Sequence, residues 1–100
     1  MGQGKSLEEI KEILKVNKST LSKQFKIKEL GIFGSYVRGE DKKDSDIDIL
    51  VEFKKTVGLL EFIAIENHLS DTLGIKVDLV MKSALKPRIG RHILEEVVYL

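Results

Sequence analysis

From residue 46 to residue 53 the chain alternates without interruption: Ile47, Ile49, Val51 and Phe53 fall on one side, Asp46, Asp48, Leu50 and Glu52 on the other. A period of two predicts a β-strand, and it forces one face inward. The strand does not stand alone. Ile27, Leu30, Ile32 and Phe33 predict an earlier strand that stops at Gly34, and residues 75–81 predict a later one. Between these last two, Leu59, Phe62, Ile63, Leu69 and Leu73 recur at helical spacing up to Gly74, a glycine stop.

The ends of the chain read as helices. Ser6 with Glu9 is a capping box, and Leu7, Ile10, Ile13 and Leu14 make an apolar stripe that predicts a helix to about residue 15. Residues 17–20 read as a polar break, with a second short helical turn at Leu21 and Phe25. Residues 83–86 read as a turn, and Pro87 suits the first position of a last helix carrying Ile89, Ile93, Leu94 and Val97. The expected order is helix, strand, strand, helix, strand, helix. No repeat or linker divides the 100 residues, so a single domain over 1–100 is expected.

Composition narrows the function classes. With 42% apolar and 33% charged residues the chain is that of a folding globular protein, and its net charge of +1 provides no overall field for nucleic acid or anionic membrane. The absence of cysteine removes disulfides, thiolate zinc sites and thiol nucleophiles. Polar opening residues and the lack of any apolar run near the roughly 20 residues that span a bilayer give a cytoplasmic, membrane-free expectation.

The chemistry concentrates around four short stretches. Asp46 and Asp48 lie two apart on a strand, so both carboxylates leave the same face, roughly 6 to 7 Å apart along the chain. Both can reach one magnesium ion, which takes one or two carboxylates and fills its remaining positions with water and phosphate oxygens. Asp78 interrupts the otherwise apolar strand Ile75-Lys-Val-Asp-Leu-Val-Met81, where an unpaired charge is expected to be expensive unless a metal neutralises it; by itself it reads equally well as facing solvent on an edge strand. If the two strands are neighbours, three carboxylates converge and can hold two cations about 3.5 to 4 Å apart, the arrangement for phosphoryl or nucleotidyl transfer. Gly34-Ser35 follows a strand directly, and Ser35 to Arg38 reads as the opening turn of a short helix. Glycine permits close approach to a phosphate, helix-start amides and the Ser35 hydroxyl donate to it, and Arg38 on the same helix face adds a guanidinium.

Other residues read as bland. His68 and His92 lie on helices among charged neighbours and share no metal spacing, and the lysines between residues 5 and 28 form the wet face of the first helices. Tyr36 and Tyr99 read as packing or surface groups, with Tyr36 near enough to the phosphate corner to count as a candidate for self-modification. The apolar end Val97-Val-Tyr-Leu100 reads as a docking surface.

Gly34-Ser35, ten residues, then Asp46-Ile47-Asp48 resembles the signature of the minimal nucleotidyltransferases (MNT proteins) of the polymerase β superfamily. The longer stretches Gly34-Ser-Tyr-Val-Arg-Gly39 and Ser45-Asp-Ile-Asp-Ile49 resemble its fuller form, and Val77-Asp78-Leu79-Val80 is similar to its third-carboxylate strand. Val37 departs from the alanine common there. The resemblance covers nearly the whole chain and implies an α+β fold, a small mixed β-sheet flanked by helices. It also implies ATP as donor with Mg2+, two ions, held by Asp46, Asp48 and Asp78, and the triphosphate held by Gly34, Ser35 and Arg38. Further, it implies an antitoxin that transfers AMP to a tyrosine of a HEPN-type toxin, its acceptor and partner. Two alternatives stand beside this: a binding antitoxin with a vestigial nucleotide site, and transfer to a small molecule or an RNA end.

Overall fold

The computed structural model describes residues 5–42 and 45–100. The opening residues 1–4, on which the reading of a polar leader rests, and residues 43 and 44 of the charged loop lie outside the described residues.

Helix α1 spans Leu7–Phe25, opened by the expected capping box: the Glu9 amide donates to Ser6 Oγ at 3.1 Å and the Ser6 amide to Glu9 Oε1 at 3.0 Å. The expected break at residues 17–20 does not occur. Asn17 donates its side-chain amide to the Ile13 carbonyl one turn back, at 2.8 Å, instead of capping a new helix. Leu21 then rejoins Ile10 and Leu14 on the buried stripe, so packing continues through the polar segment. The helix stops at Lys26, in the left-handed region with φ 57°.

The chain continues as β1 (Ile27–Phe33), α2 (Ser35–Arg38), β2 (Ile47–Phe53), α3 (Leu59–Leu73), β3 (Val77–Met81), a short 3-10 turn (Lys82–Ala84), α4 (Pro87–Glu96) and β4 (Val98–Tyr99). The sheet order is β3-β2-β1-β4, with β2 and β3 parallel and the other pairs antiparallel. A parallel pair needs a crossover, and α3 supplies it. The six elements read from the sequence are thus present in order within a mixed α+β sheet.

Ile10, Leu14 and Leu21 of α1 and Ile65, Leu69 and Leu73 of α3 bury against Ile47, Ile49 and Val51 of β2 and Val77 and Leu79 of β3. Each such side chain contributes roughly 1.5 to 3 kcal/mol on leaving water, which fixes the register of β2 and β3 against the helices. The opposite face of β2 is left to Asp48, Leu50 and Glu52 by the same alternation. On β3 the outward amides of Val77 and Leu79 are taken by α3: the first donates to Ser70 Oγ and the second to Glu66 Oε2, both at 2.9 Å. The edge strand is therefore held from two sides.

The apolar end of the chain is tied into the sheet as its edge, with Tyr99 still 41% exposed. Val98 and Tyr99 form β4 against Ile32 and Gly31, and the Leu100 amide donates to the Leu30 carbonyl at 3.0 Å. Gly31 permits this approach, since a Cβ there would meet Val97 Cγ2 at 2.5 Å. No described helix is long and apolar enough to cross a membrane.

Candidate functional site

The register of the central strands assembles the site. Phe33, the last residue of β1, pairs with Asp48, and Asp48 pairs with Asp78 across the parallel β2–β3 ladder. Paired residues on neighbouring strands point to the same face, so the Asp48 and Asp78 carboxylates meet on the side away from the helical core. Asp46 precedes β2 rather than starting it, and stands exposed beside them, tied down by the Ile47 amide donating to the Lys76 carbonyl at 3.0 Å.

Gly34 turns the chain out of β1 with φ 85° and ψ −154°, a conformation only glycine adopts without strain. It also lies against Asp48: a Cβ on Gly34 would fall 2.0 Å from Asp48 Oδ2. The corner and the acid thus need each other's shape. Beyond it, the Val37 and Arg38 amides donate to the Gly34 carbonyl at 3.0 and 3.1 Å, closing the short α2.

Asp48 is held at a pKa of about 6, well above the usual carboxylate range. Burial is the first cause; the charge of Asp78, a hydrogen bond shared with Asp78 and the charge of Asp46 follow, with Arg38 opposing them. Of the two readings of Asp78, the structure bears out the edge strand facing solvent, and the burial penalty falls on Asp48 instead. Asp78 sits on the edge strand and is exposed, because Val77 and Leu79 take the inward positions on either side of it. The crowded group is Asp48.

Among the described residues no three carboxylates or imidazoles are drawn into a complete metal cage. What the site has instead is a crowded carboxylate pair, Asp48 and Asp78, with a third acid near enough to be felt. That fits magnesium, which needs few protein carboxylates and keeps water and phosphate oxygens for the rest. A cation would offset the charge that Asp48 and Asp78 crowd together.

Arg38 is less free than its spacing suggested. Its Nε donates to Glu40 Oε1 and its Nη1 to Glu96 Oε1, both at 2.8 Å, and the two carboxylates hold the guanidinium firmly charged. Glu96 also accepts the Gly34 amide at 2.6 Å. Burial pushes the Glu96 carboxyl up, but hydrogen bonds from Arg38 and Gly34 outweigh it and hold the group below its ordinary value. Sequence reasoning missed Glu96. The available signal was an acid in the last turn of a helix, where the macrodipole disfavours it unless a partner compensates.

Phe33, Gly34, Arg38, Asp48, Ile89, His92, Ile93 and Glu96 line a cleft of about 290 Å³. His92, expected to be merely solvated, is exposed and sits on this rim, whereas His68 packs its ring 5.2 Å from that of Phe25. A larger cleft of about 490 Å³ opens at the other end of β2 and β3, beside Lys55 and Lys82, but brings together no pair of acids. Tyr36 is 6% exposed within the core, and burial, with Asp41 and Asp46 nearby, keeps its phenol protonated. Its packing removes it as a candidate for self-modification.

The nucleotidyltransferase domain family matches residues 7–100. The protein adenylyltransferase MntA of Thermococcus cleftensis is 54% identical over 95 residues, covering 95% of this chain and 96% of that one. A solved structure of a proposed minimal nucleotidyltransferase superposes with a TM-score of 0.83 at 32% identity, covering 99% of this chain and 100% of the other. A Shewanella oneidensis complex of a tri-AMPylated HEPN toxin with an MNT antitoxin shares the fold at a TM-score of 0.63 and 21% identity, over 90% of this chain and 66% of the matching one.

Proposed function

The chain belongs to the nucleotidyltransferase domain family, and from that premise we propose that it transfers AMP from ATP to a tyrosine hydroxyl of a HEPN-type toxin, with Mg2+, and so acts as an antitoxin. The observation that carries the reading is the Asp48–Asp78 pair opposite the Gly34 corner, an anion-repelling carboxylate cluster set against an anion-accepting turn. A relative with over half its residues identical is named a protein adenylyltransferase, and the same fold is found in an antitoxin bound to an AMPylated toxin.

In this reading Asp46, Asp48 and Asp78 would hold Mg2+, two ions in all, which would supply positive charge to offset that of the phosphates. Gly34 and Ser35 hold the triphosphate through the corner amides and the Ser35 hydroxyl, with Arg38 alongside. Asp78, exposed on the edge strand, accepts the proton of the incoming hydroxyl. The hydroxyl oxygen bonds to the α-phosphorus, the bond to the β-phosphate oxygen breaks, and pyrophosphate leaves. The acceptor comes from a partner chain, in keeping with the AMPylated toxin bound to an antitoxin of the same fold.

The test is incubation with Mg2+, labelled ATP and a HEPN-type partner, followed by mass analysis of the product. The wild type should add AMP to a partner tyrosine, and Asp46→Asn and Asp48→Asn should lose that transfer while remaining folded. Undiminished incorporation in both variants would remove the acids from the reaction.

A further inference from the structure

The donors assigned to the triphosphate already carry an anion, and the chain itself supplies it. Glu96, the last residue of α4, sets Oε2 2.6 Å from the Gly34 amide nitrogen and Oε1 2.8 Å from Arg38 Nη1. One carboxylate therefore spans the glycine corner and the guanidinium. Its side chain is 21% exposed and lines the same cleft as Asp48. An N–H occupied at 2.6 Å leaves no place for a phosphate oxygen, and two anions on one guanidinium edge repel. The triphosphate and Glu96 cannot both have these groups.

We infer that Glu96 is a displaceable stand-in for phosphate, which keeps Gly34 and Arg38 aligned and must be evicted before the triphosphate tail can seat. The inference rests on the nucleotide reading of this site and adds to it a residue that sets nucleotide affinity. Eviction needs only the side chain to rotate, because Glu96 ends α4 and Val97 after it is already extended at φ −61° and ψ 137°. The apparent affinity is then the intrinsic one reduced by the fraction of molecules in which Glu96 has let go. Glu40, which holds the other edge of Arg38 at 2.8 Å, keeps the guanidinium in place while Glu96 swings away.

The experiment is titration calorimetry on the full chain in Mg2+, with ATP and, separately, inorganic triphosphate as probes. Glu96→Gln preserves the shape and an oxygen for the Gly34 amide but removes the competing charge. It should bind both probes about five- to tenfold more tightly than the wild type, while binding of adenosine, which has no phosphate, stays the same. Glu96→Ala should move in the same direction, and Glu96→Gln decides the matter if the alanine variant does not fold. Unchanged or weaker triphosphate binding by Glu96→Gln, with ATP still bound by the wild type, overturns the stand-in role and leaves the site assignment intact. If neither wild type nor variant binds ATP or triphosphate, the site assignment fails and the inference falls with it.

Discussion

Replacing Asp48 by asparagine should make the metal-free chain more stable at neutral pH. Asp48 titrates at about 6 where an unperturbed aspartate titrates at 3.8, and about 1.4 kcal/mol per pH unit makes that gap worth about 3 kcal/mol for a fully enclosed group. Asp48 is only half enclosed, and screening by water reduces the figure to about 1 to 2 kcal/mol. The sign follows from where the proton resides. Below about pH 4 the carboxyl is protonated in folded and unfolded chains alike, and its burial is harmless. Between about pH 4 and 6 the folded form keeps a proton that the unfolded form has lost, so stability falls as pH rises. Above 6 the folded chain carries the whole burden of the buried charge. Asparagine never does, and can still donate to Asp78 as the protonated acid does. Urea unfolding with a chelator present should therefore show Asp48→Asn ahead of the wild type by about 1 to 2 kcal/mol at pH 7, with the advantage shrinking towards zero near pH 4. Saturating Mg2+ should stabilise the wild type and not the variant, narrowing the difference. A variant no more stable than wild type at pH 7, or an advantage independent of pH, would refute the account of Asp48 as a crowded, cation-seeking acid.

Gly34→Ala should cost at least about 2 kcal/mol and lose AMP transfer, since it adds left-handed strain to a clash with Asp48 Oδ2 at 2.0 Å; a shift in urea midpoint and an incorporation assay check it. Gly31→Ala should push β4 off the sheet, because the new methyl group would meet Val97 Cγ2 at 2.5 Å; faster amide exchange at Val98 and Leu100, with α1 unaffected, is the expected signature. Ser6→Ala should destabilise the chain by about 1 kcal/mol through loss of the capping box at α1, measured as a lower unfolding midpoint with transfer activity retained.

What the sequence conveyed depended on the range of the interactions involved. The alternation in β2 and the helical stripe in α3 are local patterns tied to one buried face, and the structure reproduces both. The polar residues 17–20 misled because a break and an outward-facing turn look alike until Leu21 is known to be buried with Leu14. Asp78 could be read as buried in an apolar run or as facing solvent at an edge, and the two-residue period of Val77 and Leu79, both buried, decides for the second. β4 has two residues and no local pattern at all; only its pairing with Gly31, far earlier in the chain, makes it a strand. The meeting of Glu96 with Gly34 is likewise a tertiary event, 62 positions apart. Motif spacing brought the acids and the corner to attention, but not which acid would be crowded or which group would lie across the corner.

The amides of Val77 and Leu79, held by Ser70 and Glu66 of α3, have a bearing on recognition. With them engaged, two of the outward donors at one margin of the sheet are withheld from an incoming peptide, and at the other margin a two-residue strand is too short to template one. A client protein therefore cannot be captured by extending the sheet.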